Sequence, residues 1–296
     1  MTRSVGVTGA SGFLGRICVP ALEAAGLDVR PLSRGSSPFD PWEVADLRGL
    51  QAVVHLAAAG AHGARDELDL VPANVVGTHR LAVRAWQSGN CRFISIGSAL
   101  EYGGRGELDG HPAQPFSPFL ETDLCEPRDP YGASKLASME LVLAHARRAA
   151  RDAIHLRLCA LYGPDAPATD LTSFLVSALT RGTERIPLTG GAQVREWLSA
   201  KDASDAVVAA VVSERVRGAM VINVSSGEPM TVRALAETLS DLTGQPLSRL
   251  GFGDRPYRTG EARYLAQDIT RAASALGWAP SVSTRVGLAK LLETRR

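Results

Sequence analysis

The first 26 residues place a short apolar run, a glycine-rich turn and an amphipathic stretch in immediate succession. Residues 4–9 read SVGVTG, residues 8–15 read TGASGFLG, and apolar side chains then recur at helical spacing until Gly26. A chain of this kind passes from a buried strand into a helix through a tight turn that favours glycine. The feature predicts a β-α-β unit at the start of a parallel sheet.

The first half of the chain repeats this alternation. A helical pattern covers residues 74–88, and four further runs rich in apolar and β-branched residues are strand candidates: DVRPLS (28–33), AVVHLAA (52–58), RFISIGS (92–98) and AIHLRLCAL (153–161). Several are apolar on consecutive residues, as in parallel strands covered on both faces. We predict an α/β fold with a Rossmann-like doubly wound parallel sheet and right-handed crossovers.

The last third of the chain is less regular. Helical patterns recur there, and a strand-like run covers 221–225; the helical patterns lie at 171–180, 202–214, 231–243 and 268–276. We predict an NAD(P)-binding domain over 1–161 and a smaller C-terminal substrate-binding lobe over 162–296, with about 198–215 returning to pack on the first domain. Ligands of open α/β sheets bind where such a lobe would lie, at the carboxyl ends of the strands.

Composition argues against several classes of protein. Hydrophobic residues make up 45% of the chain and charged residues 21%. The net charge is +1, and Lys and Arg are spread along the chain without basic runs. We therefore expect no nucleic-acid partner and no membrane partner. The N-terminus lacks a secretory pattern, and four cysteines without a CxxC pair suggest neither disulfides nor zinc. The histidines show no metal-ligand spacing, and His55 is interpreted as a core residue. A cytoplasmic location without a metal is expected.

The glycine-rich turn has the chemistry of a phosphate loop. Gly9, Gly12 and Gly15 allow a sharp turn, close approach of backbone to a pyrophosphate, and tight packing of helix on strand. The spacing is GxxGxxG rather than the commoner GxGxxG, but the helix that follows still offers free N–H groups to phosphate. The predicted cofactor contacts in this loop are Gly9, Ser11, Gly12, Phe13, Leu14 and Gly15.

A second motif, DPYGASK, carries the candidate reactive groups. Tyr131 and Lys135 lie four residues apart and therefore on one face of the helix that begins near Pro130. A nearby ammonium favours a phenolate, so Lys135 is expected to lower the pKa of Tyr131 enough for proton exchange near neutral pH. Ser98 would donate a second hydrogen bond to the reacting oxygen. The alternative is a packed tyrosine beside a solvated lysine, with Ser98 capping its strand.

Taken together, these motifs resemble the extended short-chain dehydrogenase/reductase family, the NAD(P)-dependent epimerase/dehydratase group. VTGASGFLG, AVVHLAA, NVVGT, SIGSALEYG, PYGASK and REWLSAKDASDAV occur in the family's order, and the resemblance covers almost the whole chain. It implies that Ser98, Tyr131 and Lys135 are catalytic and that Tyr131 and Lys135 also contact the cofactor. Further cofactor contacts implied by the resemblance are Leu56, Ala57, Ala58 and Asn74.

The resemblance also implies a substrate class and an assembly. Most substrates of the family are nucleotide sugars, and Arg195 and Arg258 match the positions that hold the diphosphate or nucleotide. Arginine suits this task because its planar fork binds phosphate oxygens bidentately; the alternative for each is a surface ion pair. A homodimer formed through the helices near 74–88 and 131–148 is expected.

The end of the second strand predicts the cofactor. NAD-binding members place Asp or Glu there, whereas this chain has Ser33 and Arg34. A carboxylate would repel the 2′-phosphate of NADP and a guanidinium attracts it, so NADP(H) is preferred, with NAD(H) as the alternative. Asp40 is a weaker candidate for the adenine edge and is more typical of a turn.

Two departures from the family's patterns narrow the reaction. Its 4,6-dehydratases carry Asp-Glu after the catalytic Thr, where this chain has Ala99 and Leu100, and its epimerases usually have Asn at the position of Ala160. We predict an NADPH-dependent ketoreductase of deoxysugar biosynthesis that reduces a dTDP-, CDP-, GDP- or UDP-activated 4-keto-6-deoxy sugar. The alternatives are an NAD-dependent nucleotide-sugar 4-epimerase and, from another class, a non-catalytic NADP-binding regulator.

Overall fold

A computed structural model describes residues 3–36, 42–43, 45–60, 67–108 and 116–294. Secondary structure in the first half comprises β1 (Ser4–Thr8), α1 (Phe13–Ala24), β2 (Asp28–Leu32), β3 (Ala52–His55), α2 (Thr78–Gln87), β4 (Arg92–Ser98), β5 (Arg105–Glu107), α3 (Pro130–Arg148) and β6 (Ala153–Leu158). The second half comprises β7 (Ala160–Tyr162), α4 (Leu171–Thr180), β8 (Ile186–Leu188), β9 (Val194–Arg195), β10 (Trp197–Ser199), α5 (Ala200–Val212), β11 (Ala219–Val224), β12 (Met230–Thr231), α6 (Val232–Leu242), β13 (Leu250–Phe252), β14 (Ala262–Tyr264), α7 (Thr270–Leu276) and α8 (Thr284–Glu293).

Six parallel strands form the central sheet in the order β11-β6-β4-β3-β1-β2. Every residue of β1, β3 and β6 is buried, as expected of parallel strands covered on both faces. The chain leaves β1 for β2 on one side and then crosses to β3 on the other. The strand order therefore reverses between β1 and β3, and ligands bind at such a switch point.

Helices cover both faces of this sheet. On one face α1 and α5 pack on β1 and β6 around Cys18, Leu22 and Ala206. On the other face α2 and α3 pack around Leu81, Phe93 and Leu143. The prediction of a doubly wound α/β sheet is confirmed.

The remaining elements pack beside the carboxyl edge of the sheet. Their core is a third apolar cluster formed by α4, α6 and α8, with Leu175, Leu235 and Leu288 at its centre. A small sheet of order β12-β9-β14-β5 joins the two halves of the chain, because β5 comes from the first half. The chain returns to the central sheet after residue 162 through α5 and β11.

Two elements differ from the sequence expectation. The run 153–161 is two strands rather than one: β6 ends at Leu158, and β7 pairs instead with β10. The helical stretch expected over 74–88 begins earlier, as a π-helical segment over Val71–Gly77 that continues into α2. Such wide turns often mark functional positions. Across the described residues, we find no helix with the length and apolar character needed to span a membrane.

Candidate active site

The loops after β1 and β3 meet at the switch point. Gly9 has a φ of +66°, and a Cβ placed on it would lie 2.7 Å from the backbone nitrogen of Ala57. A Cβ on Gly15 would collide with the carbonyl oxygen of Gly9, to which the Gly12 N–H donates a hydrogen bond of 2.9 Å. Only glycine therefore fits at positions 9 and 15, and the loop lies flat against the sheet edge.

The N-terminus of α1 faces this loop without a side-chain cap. Gly12 is the N-cap residue and has no side chain that could cap the first turn, and that turn carries no acidic residue. The N–H groups of Phe13 and Leu14 and the positive end of the helix dipole are therefore available to an anion, so the loop fits the diphosphate of a dinucleotide.

Arg16 is a neighbour of the loop that sequence reasoning did not single out. Its Nη1 donates to the Ser11 carbonyl oxygen over 3.2 Å, and its Nε lies 3.7 Å from a carboxylate oxygen of Asp165. In the sequence, its position immediately after Gly15 could have indicated that Arg16 lies beside the loop. Arg16 adds a positive charge beside the loop and links it to the segment that follows β7.

Ser33 and Arg34 are both exposed and follow the last residue of β2. Leu32 pairs in register with Thr8, so Arg34 lies at the same edge of the sheet as the glycine loop. Residues 33–36 read SRGS and carry no carboxylate. The role of Arg34 stays a prediction. Asp40 lies outside the described residues.

Asn74 is buried and fixes the loop that follows β3. Its Oδ1 accepts from the N–H of Ala59 over 2.8 Å, and its Nδ2 donates to the Ala59 carbonyl oxygen over 2.9 Å and to Ser134 Oγ over 3.0 Å. Leu56, Ala57 and Ala58 precede this clamp. The Asn74 amide thus holds backbone in place where the cofactor is expected, while its own polar atoms are engaged by the protein.

The start of α3 brings the candidate reactive groups together. Asp129 caps the helix by accepting from the Gly132 N–H over 2.9 Å, which sets Tyr131 in the first turn. Lys135 is buried, lies with its Nζ 5.7 Å from the centre of the Tyr131 ring, and donates to the Ile96 carbonyl oxygen over 2.9 Å. Ser98 ends the same strand two residues after Ile96. The three predicted residues therefore lie at one sheet edge.

Ser98 also caps a 3-10 turn over Ala99–Tyr102. Its Oγ accepts from the Leu100 N–H over 3.2 Å, and its own N–H donates to Glu101 Oε1 over 2.8 Å. The capping role proposed as an alternative is thus present. Within the part of the chain that the structure describes, Oγ is engaged in this turn only as an acceptor, which leaves the hydroxyl proton available for donation.

The electrostatics differ from the sequence expectation for Tyr131. Burial raises the pKa of the phenol above its ordinary value of 10, and the charges of Glu101 and Asp129 raise it further. Burial lowers the pKa of Lys135 from 10.5 to about 8, partly opposed by Glu101. Desolvation therefore outweighs the expected effect of the ammonium on the phenol. At neutral pH the Tyr131 hydroxyl keeps its proton and can serve as an acid.

His55 is a core residue, as the sequence indicated. Its two ring nitrogens lie 2.7 Å from Thr8 Oγ1 and 2.9 Å from Thr78 Oγ1. Burial, with a contribution from Lys135, lowers the pKa of this imidazole to about 3. The ring is neutral at physiological pH and serves to tie β1, β3 and α2 together.

The buried ammonium of Lys135 should lower the stability of the folded protein. We therefore expect Lys135→Met to stabilise the protein at pH 7. The folded state disfavours the ammonium, so stability is lost as the pH falls from 10.5 to 8. After allowance for the lost bond to Ile96, the net gain should be about 2 kcal/mol below pH 8 and should fall to zero or below as the pH rises towards 10.5. Chemical unfolding at pH 7 and pH 10 measures it.

The matched control for this prediction is Lys201→Met, because Lys201 is an exposed lysine on α5 paired with Asp205. It should give no such gain. A Lys135→Met protein that is no more stable than wild type at pH 7, or whose gain does not change with pH, would contradict the cost assigned to the buried ammonium.

The two candidate substrate arginines meet at one carboxylate. Arg195 donates to the carbonyl oxygens of Val194 and Ala262, and its Nη2 lies 3.6 Å from Glu261 Oε1. Arg258 is exposed, and its backbone N–H lies 3.4 Å from the other Glu261 oxygen. A guanidinium has five N–H donors, so Arg195 keeps donors for a ligand. Glu261 therefore contacts the guanidinium of Arg195 and the backbone of Arg258, which brings the two residues to one place in the lobe.

The doubly wound sheet, with a glycine loop at its switch point, defines a Rossmann-like protein. Residues 5–225 match the model of the NAD dependent epimerase/dehydratase family. The chain belongs to this family of extended short-chain dehydrogenases/reductases, and the resemblance seen in its motifs is confirmed.

Similar proteins span nearly the full chain. The dTDP-6-deoxy-L-talose 4-dehydrogenase (NAD(P)(+)) of Kitasatospora kifunensis is 29% identical over 97% of this chain and 94% of its own length. The dTDP-glucose 4,6-dehydratase of Streptomyces griseus is 30% identical, with coverage of 98% and 93%. The structure of MoeE5 in complex with UDP-glucose and NAD has a TM-score of 0.82 at 30% identity and 99% coverage of both chains.

Proposed function

We propose that the protein is an NADPH-dependent ketoreductase that reduces the 4-keto group of a nucleotide-activated 6-deoxy sugar. One observation carries this proposal: Tyr131 lies beside Lys135, which bonds β4 two residues before Ser98, and the residues that follow Ser98, Ala99 and Leu100, cannot exchange protons. The site can give one proton to an oxygen, and positions 99 and 100 offer no further acid or base for elimination.

The relatives support the substrate class. They are nucleotide-sugar-modifying, NAD(P)-dependent enzymes, and the one from Kitasatospora kifunensis is named as a 4-dehydrogenase of a dTDP-activated 6-deoxy sugar. A dehydrogenase that oxidises a C4 hydroxyl reduces the matching ketone when it runs in reverse. The dehydratase relative is a weaker guide to the reaction of this chain, because residues 99 and 100 here offer no acid-base pair.

Each chemical step has a candidate group in this chain. The glycine loop, Tyr131 and Lys135 would hold a reduced nicotinamide cofactor, which would supply the hydride for the carbonyl carbon. Tyr131 donates its hydroxyl proton to the oxygen as negative charge develops there, and Ser98 donates a hydrogen bond to the same oxygen. The Lys135 ammonium stabilises the phenolate until a solvent proton restores the hydroxyl, and it would also hold the cofactor ribose. Arg195 and Arg258 would bind the diphosphate.

The test is NADPH oxidation with a panel of dTDP-, CDP-, GDP- and UDP-linked 4-keto-6-deoxy sugars. We expect turnover with at least one of them and formation of the 4-hydroxy product. No oxidation of NADPH with any member of the panel would refute the proposal.

A nucleotide-sugar 4-epimerase is the second candidate, because the similar MoeE5 structure contains NAD rather than NADP. An epimerase regenerates its cofactor within each turnover. Protein purified with NAD bound, converting a 4-hydroxy sugar nucleotide into its 4-epimer without added cofactor, would favour this candidate. Consumption of added NADPH in every turnover would favour the reductase.

A further inference from the structure

A carboxylate is buried directly beneath Ser98. Glu101 is fully inaccessible to solvent, and its Oε1 accepts from the Ser98 N–H over 2.8 Å and lies 2.9 Å from His155 Nε2. Its Oε2 accepts from Arg157 Nε over 2.7 Å. Both carboxylate oxygens are therefore engaged, and one of them holds the backbone of a candidate catalytic residue.

The network around Glu101 is expensive to bury. Glu101, His155 and Arg157 have side chains at most 2% exposed. Removing a carboxylate and a guanidinium from water costs several kcal/mol each, and pairing seldom yields more stability than apolar side chains of the same volume would. Since stability alone does not explain charges at these positions, their placement next to Ser98 points to a role at the site.

Neighbouring residues are shaped around this carboxylate. His155 and Arg157 are two residues apart on β6, so both point to the same face of the sheet. The other ring nitrogen of His155 lies 2.8 Å from Ser95 Oγ on β4. A Cβ on Gly97 would collide with His155 Nε2 and Glu101 Oε1. Two strands and the turn after β4 thus fit together around Glu101.

We propose that Glu101 is a positioning residue of the active site, which fixes Ser98 through its backbone N–H and supplies a fixed negative charge behind Tyr131 and Lys135. The proposal rests on the function proposed above. Glu101 does not touch a substrate in this role; it acts through Ser98 and through its field.

The charged groups around the site give this field a direction. His155 and Arg157 contact Glu101 from β6. The turn that carries Glu101 packs on the first turn of α3, where a Cβ on Gly132 would lie 2.6 Å from the Leu100 carbonyl oxygen. Tyr131 and Lys135 lie on that helix, Asp129 lies at its start, and His55 acts on Lys135 from β3. The carboxylate raises the pKa of both Tyr131 and Lys135. Reduction needs Tyr131 protonated, so removing the negative charge should lower the pKa of the phenol and bring the alkaline loss of activity to lower pH.

Two substitutions separate position from charge. Glu101→Asp keeps the charge but withdraws the carboxylate by one methylene, so Ser98 amide exchange should become faster and kcat should fall by about 10- to 100-fold, as for other positioning contacts. Its alkaline limit should match wild type. Glu101→Gln removes the charge and should shift the alkaline limb of kcat/KM to lower pH. The Kd for NADPH should stay within about twofold in both variants.

Glu121 provides the matched control. Its side chain is 3% exposed, accepts from the Asn223 N–H over 2.9 Å and pairs with Arg271, but it does not contact Ser98. Glu121→Asp and Glu121→Gln should leave the Ser98 amide exchange rate, kcat and the pH limb as in wild type. Equal losses in the Glu101 and Glu121 variants would reduce Glu101 to a structural role.

The outcomes distinguish the two proposals. If wild type reduces no 4-keto sugar, the proposed function fails, while Ser98 amide exchange in Glu101→Asp still tests the positioning. If wild type is active and Glu101→Asp has wild-type kcat and wild-type exchange at Ser98, the inference about Glu101 is overturned. If Glu101→Gln does not fold, Glu101→Asp still decides whether Glu101 positions Ser98, by the same two measurements.

Discussion

Tyr131→Phe is expected to lower kcat by about 100- to 10,000-fold, the usual contribution of a positioned general acid. The substitution removes the hydroxyl proton and keeps the ring, which packs beside Gly60. Lys135 and the glycine loop are untouched, so the Kd for NADPH should change by less than about twofold. Steady-state kinetics with the best 4-keto substrate and a fluorescence titration with NADPH measure the two quantities separately.

Tyr162→Phe is the control for this result. Tyr162 is buried in β7, and its hydroxyl has no hydrogen-bond partner within the described part of the chain. Its removal should leave kcat at the wild-type level. A Tyr131→Phe enzyme that turns over at the wild-type rate would eliminate the phenol as the proton donor, whatever the substrate.

Arg34→Ala is expected to raise the Kd for NADPH by about 10- to 100-fold, since charge-assisted hydrogen bonds contribute about 1.5–3 kcal/mol. The guanidinium lies at the corner where a 2′-phosphate would sit, and residues 33–36 offer no carboxylate to an unmodified ribose. NADH lacks this phosphate, so its affinity should change by less than about twofold. Parallel titrations with both cofactors measure the preference.

Arg48→Ala controls for the loss of one surface charge. Arg48 is exposed, pairs with Asp46 and precedes β3, which places it at the opposite edge of the sheet. This variant should bind NADPH like wild type. If Arg34→Ala weakens NADPH and NADH equally, or neither, the assignment of Arg34 to the 2′-phosphate is wrong.

The sequence predicts the central sheet well because burial on both faces leaves a direct mark. β1, β3 and β6 are buried throughout, and an apolar run shows this without knowledge of any partner. The glycine loop is predicted equally well, because Gly9 and Gly15 occupy positions that tolerate no side chain. The pairing of Tyr131 with Lys135 follows from helical spacing alone.

The surroundings of the candidate active site could not be predicted from the sequence in this way. Glu101 lies 54 residues from His155 and 56 from Arg157, and only the pairing of β4 with β6 brings them together. Polar residues within a strand give no local signal of their partners. The raised pKa of Tyr131 likewise depends on burial by distant elements, so spacing to Lys135 suggested the opposite direction.

The contacts of the two candidate substrate arginines were also not predicted from the sequence. Their positions came from resemblance, and Glu261 between them was not anticipated. This contact arises because β9 and β14 lie side by side in the lobe. Residues 66 positions apart in the chain become neighbours only through that small sheet.

The sixth strand of the central sheet has a consequence for biosynthesis. β11 begins at residue 219, and its partner β6 ends at residue 158. At 5–20 residues per second, a ribosome needs about 3–12 s to make the intervening chain. During that interval the nascent protein carries the unpaired edge of β6, and Tyr102 lacks the Asn223 amide to which its hydroxyl donates. Unpaired edges of this kind invite aggregation, so we expect chaperone binding to matter most before residue 224 emerges.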